Sequence, residues 1–241
     1  MKDWIYGKNA VYEAVKKNDG LTKVVLSKES KDDRLVTMCK KSRIPVEFED
    51  RAFFNKNAKG NHQGYMALKE SYEYVDLEDM LFNIHKGKQP LLIMLDGLED
   101  PHNLGAILRS ADAIGADGVI IGKNRSVSLN ATVAKVSTGA IEHVPVCQVT
   151  NLGRTLETLK KQGYWVVGTD MHDAVDYRQV DYIMPVVLVV GSEGFGISRL
   201  VLEKCDYKVT IPMVGHVNSL NASVACAVML YQIYNNRHPL V

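Results

Sequence analysis

The 241-residue sequence contains no apolar run near the roughly 20 residues of a membrane-spanning helix; runs such as 91–95 and 186–190 fall far short of it. The N-terminus, Met1-Lys2-Asp3-Trp4, lacks the apolar stretch of a secretory signal, so the expected location is the cytoplasm. Cysteine is scarce. Cys39, Cys147, Cys205 and Cys226 form no Cys-x-x-Cys pair and have no nearby histidine at metal-ligand spacing, so they read as reduced, mostly buried thiols. The seven histidines make no His-Glu-x-x-His pattern, and no metal site is expected. Also missing are Gly-x-Gly-x-x-Gly behind a first strand and Gly-x-x-x-x-Gly-Lys-Ser/Thr, the strings that cradle a nucleotide diphosphate. Their absence argues against NAD and ATP.

What is present is ordinary globular composition, 46% hydrophobic and 24% charged, enough for one large domain or two modest ones. The formal net charge of +1 conceals an asymmetry: residues 1–75 carry 15 Lys and Arg against 11 Asp and Glu, whereas the remainder carries 14 against 17. An uneven solvated surface accounts for this. So does a first part that meets a polyanion.

Hydrophobic periodicity divides the chain. Residues 4–17 predict an amphipathic helix with Val11, Ala14 and Val15 on one face. A strand at 23–27, a helix at 32–42, a strand at 45–49, a helical piece near Phe53 and a strand at 64–69 follow. This spacing predicts a small α/β unit over 1–71. Its polar loop at 55–64 carries lysines and amides suited to phosphates and base edges of folded RNA, or is simply a surface loop. Residues 72–89 read as a linker, with a short helix at 75–85 and then Lys86-Gly87-Lys88-Gln89-Pro90. From 90 to 241 the expected strands are 91–95, 119–121, 145–149, 165–168, 186–190 and 208–211. The helices between and after them are 103–113, 128–141, 152–161, 197–204 and 219–235. Continuous apolar strands alternating with helices predict a parallel sheet covered on both faces.

Three stretches could carry chemistry. Asp96-Gly97-Leu98-Glu99-Asp100-Pro101-His102-Asn103-Leu104-Gly105 closes a strand and opens a helix bearing Arg109. Asn103 stands where a helix cap would, and Arg109, among small apolar residues, faces either solvent or an anion. Val189-Val190-Gly191-Ser192-Glu193-Gly194-Phe195-Gly196 is a buried strand emptying into a glycine turn with one carboxylate. Glu193 there either caps the helix near 197 or accepts a proton or a hydroxyl hydrogen bond. Ile211-Pro212-Met213-Val214-Gly215-His216-Val217-Asn218-Ser219-Leu220-Asn221-Ala222-Ser223 is a strand end, a glycine loop and the start of a long apolar helix entered at Ser219. Capping competes with substrate contact at Ser219 and Asn221. Two strand ends with flexible loops describe a small-cofactor site at the carboxyl edge of a parallel sheet. The tetrapeptide Ser-Leu-Asn-Ala recurs at 128–131 and 219–222, each serine standing where an N-cap would.

These stretches resemble the three motifs of the SpoU/TrmH family of RNA 2′-O-ribose methyltransferases, within the SPOUT superfamily. Asp-Pro-x-Asn-x-Gly followed by an arginine, Gly-x-Glu-Gly-x-Gly, and Ile-Pro-Met-x-Gly-x-x-x-Ser-Leu-Asn occur in family order, and residues 134–140 also resemble the family. The first 71 residues, with Ile5-Tyr6-Gly7 and His62-Gln63-Gly64, resemble the ribosomal-protein-L30-like substrate-binding domain of the branch that methylates a guanosine of large-subunit (23S) ribosomal RNA.

The resemblance implies an α/β catalytic domain with a parallel sheet and a deep trefoil knot, and a homodimer. It implies S-adenosyl-L-methionine held by backbone around Gly191, Gly194, Ile211, Pro212, Met213 and Leu220, with glycines 191, 194 and 215 allowing close approach. The implied reaction is in-line attack of a ribose 2′-oxygen on a methyl group, with Asn103, Arg109, Glu193, Ser219 and Asn221 as the catalytic set. A guanidinium, with a pKa above about 12, is a poor proton acceptor. Arg109 is therefore expected to grip the adjacent phosphate, Asn103 to orient Arg109 or the substrate, and Glu193 or the phosphate to help take the proton. Ser219 and Asn221 would complete the substrate side. Three other readings stand beside this one: a transfer-RNA 2′-O-methyltransferase, against which the N-terminal unit argues, a non-catalytic RNA-binding or ribosome-assembly protein, and a small-molecule α/β enzyme.

Overall fold

The computed structural model of the chain describes residues 2–240 apart from 19, 31, 59, 71, 85, 86 and 88. Lys59 of the polar loop, the first unit's expected end at Ser71, the helix end at His85, and Lys86 and Lys88 of the linker lie outside the described residues. Two compact units emerge, Met1–Glu73 with Leu129–Thr132, and Tyr74–Ser128 with Val133–Val241.

The first unit runs β1 (Lys2–Tyr6), α1 (Lys8–Lys17), β2 (Leu21–Ser27), α2 (Asp33–Lys41), β3 (Val46–Glu49), α3 (Arg51–Asn57) and β4 (Tyr65–Glu70). Its strands are ordered β1-β4-β2-β3. Residues 4–6 are strand rather than the helix expected of 4–17: β1 pairs antiparallel with β4, and Gly7, with φ of 97°, turns the chain into α1. The aromatic and β-branched run Trp4-Ile5-Tyr6 suits a pleated surface, and only glycine takes that φ without strain. Strand period two sorts the core into two layers. Val24 and Leu26, with Tyr65 and Ala67, pack on Val11, Val15, Leu35 and Cys39 of α1 and α2. Val25 and Met66, one residue out of phase, pack on Phe54 of α3.

A single carboxylate ties the helical layer of this unit to its sheet. Tyr12 Oη donates to Asp32 Oδ1 at 2.7 Å, Tyr65 Oη donates to Oδ2 at 2.9 Å, and the Leu35 N–H donates to Oδ1 at 3.1 Å, capping α2. Lys8 Nζ lies 3.5 Å from Oδ2. Burial, the largest single influence, pushes the Asp32 carboxyl up, yet the donors from Tyr12, Leu35, Tyr65 and Lys8 outweigh it and hold it below the usual range. Tyr12 is pushed up to about 12 by burial and by its bond to Asp32.

The remaining elements are α4 (Leu77–Phe82), β5 (Leu91–Asp96), α5 (Pro101–Ala113), β6 (Gly118–Gly122), α6 (Ala131–Ser137), β7 (Val146–Val149), α7 (Leu152–Lys161), β8 (Trp165–Thr169), β9 (Val175–Asp176), β10 (Val186–Gly191), α8 (Arg199–Leu202), β11 (Tyr207–Thr210) and α9 (Ala222–Arg237). Seven strands form one sheet in the order β7-β6-β5-β10-β8-β11-β9, every pairing parallel. The parallel α/β architecture expected from the sequence is therefore present. β10 is buried along its whole length, which is why it reads as an unbroken aliphatic run.

Several elements differ from expectation for local reasons. The helix expected over 128–141 stops at Ser137, because Thr138 and Gly139 both have left-handed φ, 50° and 97°, and a single 3₁₀ turn, Ala140–Glu142, follows. The two-residue β9 was not anticipated, being too short to carry a pattern. Part of the stretch read as a linker packs within the second unit: the Val75 N–H donates to Val146 O at 2.9 Å, and Met80 is buried with Leu92 and Ile120.

Helix α9 packs on α5 and buries Cys226, Met229, Leu230 and Ile233. Val224, Tyr231 and Tyr234 on the same helix are exposed. At its last residue the Arg237 guanidinium donates to the carbonyls of Tyr182, Gln89, Pro90 and Met184 at 2.6 to 3.2 Å, joining the helix end to the chain just before β5 and β10.

The Asp32 carboxyl yields a pH prediction. Because its folded value lies below the ordinary one, its contribution is complete above about pH 4 and is lost as pH falls through the lower folded value. Asp32→Asn should cost about 2 kcal/mol at pH 7 and flatten the loss of stability between the two values, as read by urea unfolding at a series of pH values.

Candidate active site

The strand order sets the carboxyl ends of β10, β8 and β11 side by side, with β8 in the middle. Their loops enclose a cleft of about 670 Å³, within the range of small-ligand sites. All six residues expected around a cofactor, Gly191, Gly194, Ile211, Pro212, Met213 and Leu220, line it, as do Glu193 and Ser219. So do Thr169 to His172, which the sequence reading left unassigned. Gly168 precedes them but no motif marks them; they reach the site because β8 lies between β10 and β11.

The loop after β10 is a tight return. The Ser192 N–H donates to Gly196 O at 3.1 Å and the Gly196 N–H to Ser192 O at 2.9 Å, with Gly194 and Gly196 at φ of 86° and 66°. A Cβ on Gly191 would stand 2.0 Å from the Gly196 carbonyl carbon and 2.2 Å from Ile197 N, so the loop's own backbone demands this glycine. Gly194 and Gly215 face open space instead, a Cβ meeting nothing within 4 Å.

Asp100 caps α5, accepting the His102 N–H at 2.9 Å, and Pro101 follows at the position where a missing N–H costs nothing. Asn103 is thus the helix's third residue and not its cap, which frees its buried side chain. Asn103 Nδ2 donates to Glu193 Oε1 at 3.1 Å, and Asn103 Oδ1 accepts from Asn221 Nδ2 at 2.9 Å. Asn221 Nδ2 also donates to Glu193 Oε1 at 2.5 Å, and the Ala222 N–H approaches the same oxygen at 3.5 Å. Asn221 Oδ1 accepts from the Ser223 and Val224 N–H groups at 3.0 and 3.3 Å, so Asn221 both caps α9 and joins the cluster.

Two capping expectations are corrected here. The helix begins at Ala222 rather than Ser219, and Ser219 is an exposed residue of the cleft. Glu193 does not cap α8; the Ser198 N–H at that helix start donates to Asp96 Oδ2 at 2.7 Å. Glu193 Oε2 has no partner among the described residues.

Arg109 stands apart from this cluster. It is exposed, makes no hydrogen bond or ion pair among the described residues, and does not line the cleft. Six residues beyond Asn103, it lies about 240° around the helix, so Asn103 does not orient it. All four cysteines are free thiols, and burial pushes Cys205 and Cys226 up to about 12 and Cys147 to about 11, which keeps them protonated and unreactive. Among the described residues no group of three or more His, Cys, Asp or Glu side chains could hold a metal ion.

The arrangement unites backbone-lined space at three strand ends with a carboxylate whose one oxygen is saturated and whose other is free. It can hold a small cofactor and present a proton acceptor beside it. Two family models match the chain: the SpoU rRNA Methylase family over residues 90–231, and RNA 2′-O ribose methyltransferase substrate binding over residues 4–75. The chain belongs to the SpoU methylase family. Among curated SpoU/TrmH relatives it is similar to the putative TrmH family tRNA/rRNA methyltransferase YacO of Bacillus subtilis strain 168, 47% identical over 242 residues, 99% of this chain and 97% of that one. A putative TrmH family tRNA/rRNA methyltransferase of Staphylococcus aureus strain COL is 49% identical over 239 residues, 97% and 96% of the two chains. Among solved structures it resembles the SpoU methyltransferase AviRb from Streptomyces viridochromogenes in complex with AdoMet, with a TM-score of 0.64 and 26% identity over 98% of this chain and 90% of that one. The A. aeolicus TrmH/SpoU tRNA modifying enzyme matches with a TM-score of 0.58 and 32% identity, over 67% of this chain and 82% of its own.

Two glycines of the SpoU site predict opposite outcomes. Gly191→Ala should destabilise the protein by about 3 kcal/mol or more, since backbone cannot retreat from the new methyl. Gly215→Ala should leave the melting temperature within about 1 °C, its effect on folding being that of a surface change. Thermal melting of both variants checks the contrast.

Proposed function

We propose that this chain transfers the methyl group of S-adenosylmethionine to a ribose 2′-hydroxyl of RNA, at a guanosine of large-subunit (23S) ribosomal RNA. The observation that carries the reading is the Asn103–Glu193–Asn221 junction at the mouth of the cleft. The cofactor is S-adenosylmethionine, the ligand of AviRb, and the cleft fits it: bare backbone at Gly194 and Gly215 and strand-end backbone around Gly191, Ile211, Pro212, Met213 and Leu220 would hold it. Bound there, it supplies an electrophilic methyl group.

The chain's own residues then have three tasks. Glu193 Oε1 is held by the two asparagines, which turns Oε2 toward an incoming hydroxyl as proton acceptor. Ser219 at the cleft edge offers the ribose a hydroxyl partner. Arg109, permanently charged and without a partner among the described residues, grips the neighbouring phosphate and fixes the 2′-oxygen in line.

The N-terminal unit supports ribosomal over transfer RNA. The AdoMet-bound rRNA methyltransferase from Sinorhizobium meliloti matches 100% of this chain, whereas the A. aeolicus tRNA modifying enzyme matches 67%. The exposed Val224, Tyr231 and Tyr234 of α9 support a homodimer through that helix. Because Arg109 does not line the cleft, we assign it to the site of the second copy. The position of β10 between β5 and β8 is consistent with the knotted path of the family.

Labelled S-adenosylmethionine incubated separately with unmodified 23S ribosomal RNA and with transfer RNA should place label in ribose of the first alone. Label in transfer RNA instead would move the protein to the sister activity, and label in neither would overturn the enzymatic reading. Arg109→Ala and Glu193→Gln should each abolish transfer, Arg109→Ala with cofactor affinity intact. Mixing the two inactive variants after subunit exchange should restore about a quarter of wild-type activity, since half the dimers are mixed and each holds one intact site. No recovery would overturn the shared site.

A further inference from the structure

The charges around the cleft are of one sign. Among the described residues its charged lining side chains are Asp170 and Glu193, His172 is the one titratable base, and neither lysine nor arginine lines it. Glu193 is engaged by Asn103 and Asn221. Asp170 is held by backbone N–H groups instead of side-chain amides. It follows β8, the middle of the three strands, and its N–H donates to Val209 O at 3.0 Å, which anchors it against β11. Its Oδ1 accepts the N–H groups of Met171 and His172 at 2.7 and 3.2 Å, so the carboxylate is held in one orientation. Its Oδ2 has no partner among the described residues. A half-buried carboxylate with one oxygen committed and the other unpaired among the described residues, on the wall of a cleft whose other polar side chains are the Glu193 carboxylate, His172 and neutral hydroxyls and an amide, favours a cationic ligand.

We infer that Asp170 is the residue by which the cleft distinguishes the charged methyl donor from its uncharged product, an inference that rests on the cofactor reading above. S-adenosylmethionine carries a sulfonium and an ammonium against one carboxylate, a net charge of +1. When the methyl–sulfur bond breaks, its electron pair stays on sulfur; the resulting thioether, S-adenosylhomocysteine, has no net charge. A fixed negative charge on the wall attracts the donor and loses that attraction once the methyl has gone. One such carboxylate–cation attraction in a partly screened cleft amounts to about a factor of ten in affinity.

The test is calorimetric binding of S-adenosylmethionine and of S-adenosylhomocysteine, without RNA, to the full chain and to Asp170→Asn. Asparagine keeps the Oδ1 acceptor and so the turn, and an unchanged melting temperature verifies that. The variant should bind the donor about tenfold more weakly and the product within twofold of wild type. In wild type the preference for the donor should shrink as salt rises, and in the variant, where Glu193 is the remaining carboxylate of the lining, it should shrink less. Equal weakening toward both ligands, or toward neither, overturns the proposal alone. A wild-type chain that binds neither ligand overturns the cofactor assignment and this proposal with it.

Discussion

One carboxylate oxygen holds the catalytic unit's working parts in register. Glu193 Oε1 takes hydrogen bonds from Asn103 and Asn221, residues 118 positions apart, and is approached by the Ala222 N–H. Through it the start of α5, the loop after β10 and the start of α9 meet at one point. The chemistry dictates the residue types. A carboxylate only accepts, so it can face two amide nitrogens at once, and the asparagines then have oxygens left over, one for Asn221 and one for the cap of α9. A glutamine at 193 could keep the shared acceptor in its carbonyl oxygen, but it would set an amide nitrogen where the free carboxylate oxygen stands and so remove the proton acceptor.

The same helix is pinned at its other end by Arg237, whose guanidinium serves four carbonyls near the beginnings of β5 and β10. Helix α9 is therefore anchored at the carboxyl edge of the sheet by an asparagine and at the amino edge by an arginine. Between these anchors its buried face needs only apolar bulk. The Gly191 turn completes the frame, because the return of the loop onto its own strand leaves no volume for a side chain. A rigid frame of this kind keeps the free oxygens of Glu193 and Asp170 at set positions. The N-terminal unit uses a similar device for another end: Asp32 gathers two phenols, an amide and an ammonium, and so fastens α1 and α2 to β4.

Much of this was legible in the residues. Aliphatic runs bounded by glycine marked the buried strands, because a strand covered on both faces has no polar positions to reveal a period. The glycine turn at 191–196 and the loop at 211–221 were recognisable as a ligand site, and their residues do line one cleft. Local competition blurred the rest. Trp4, Ile5 and Tyr6 sit beside a helical pattern and were absorbed into it, although Gly7 separates them. Thr138 and Gly139 end a helix whose composition would have continued it.

What the sequence determined by itself, then, was most of the elements though neither β1 nor β9, the family motifs and the residue types at the site, since these rest on local periodicity, turn chemistry and spacing. Only the tertiary structure decided which strand ends are neighbours, and with that the entry of Asp170 into the cleft. It alone made Asn103 a partner of Glu193 rather than a cap, and it alone left Arg109 outside the cleft of its own chain. The physical reason is common to all three. Strand order and helix rotation arise from packing many distant apolar contacts at once, and no local pattern of residues encodes a neighbour a hundred positions away.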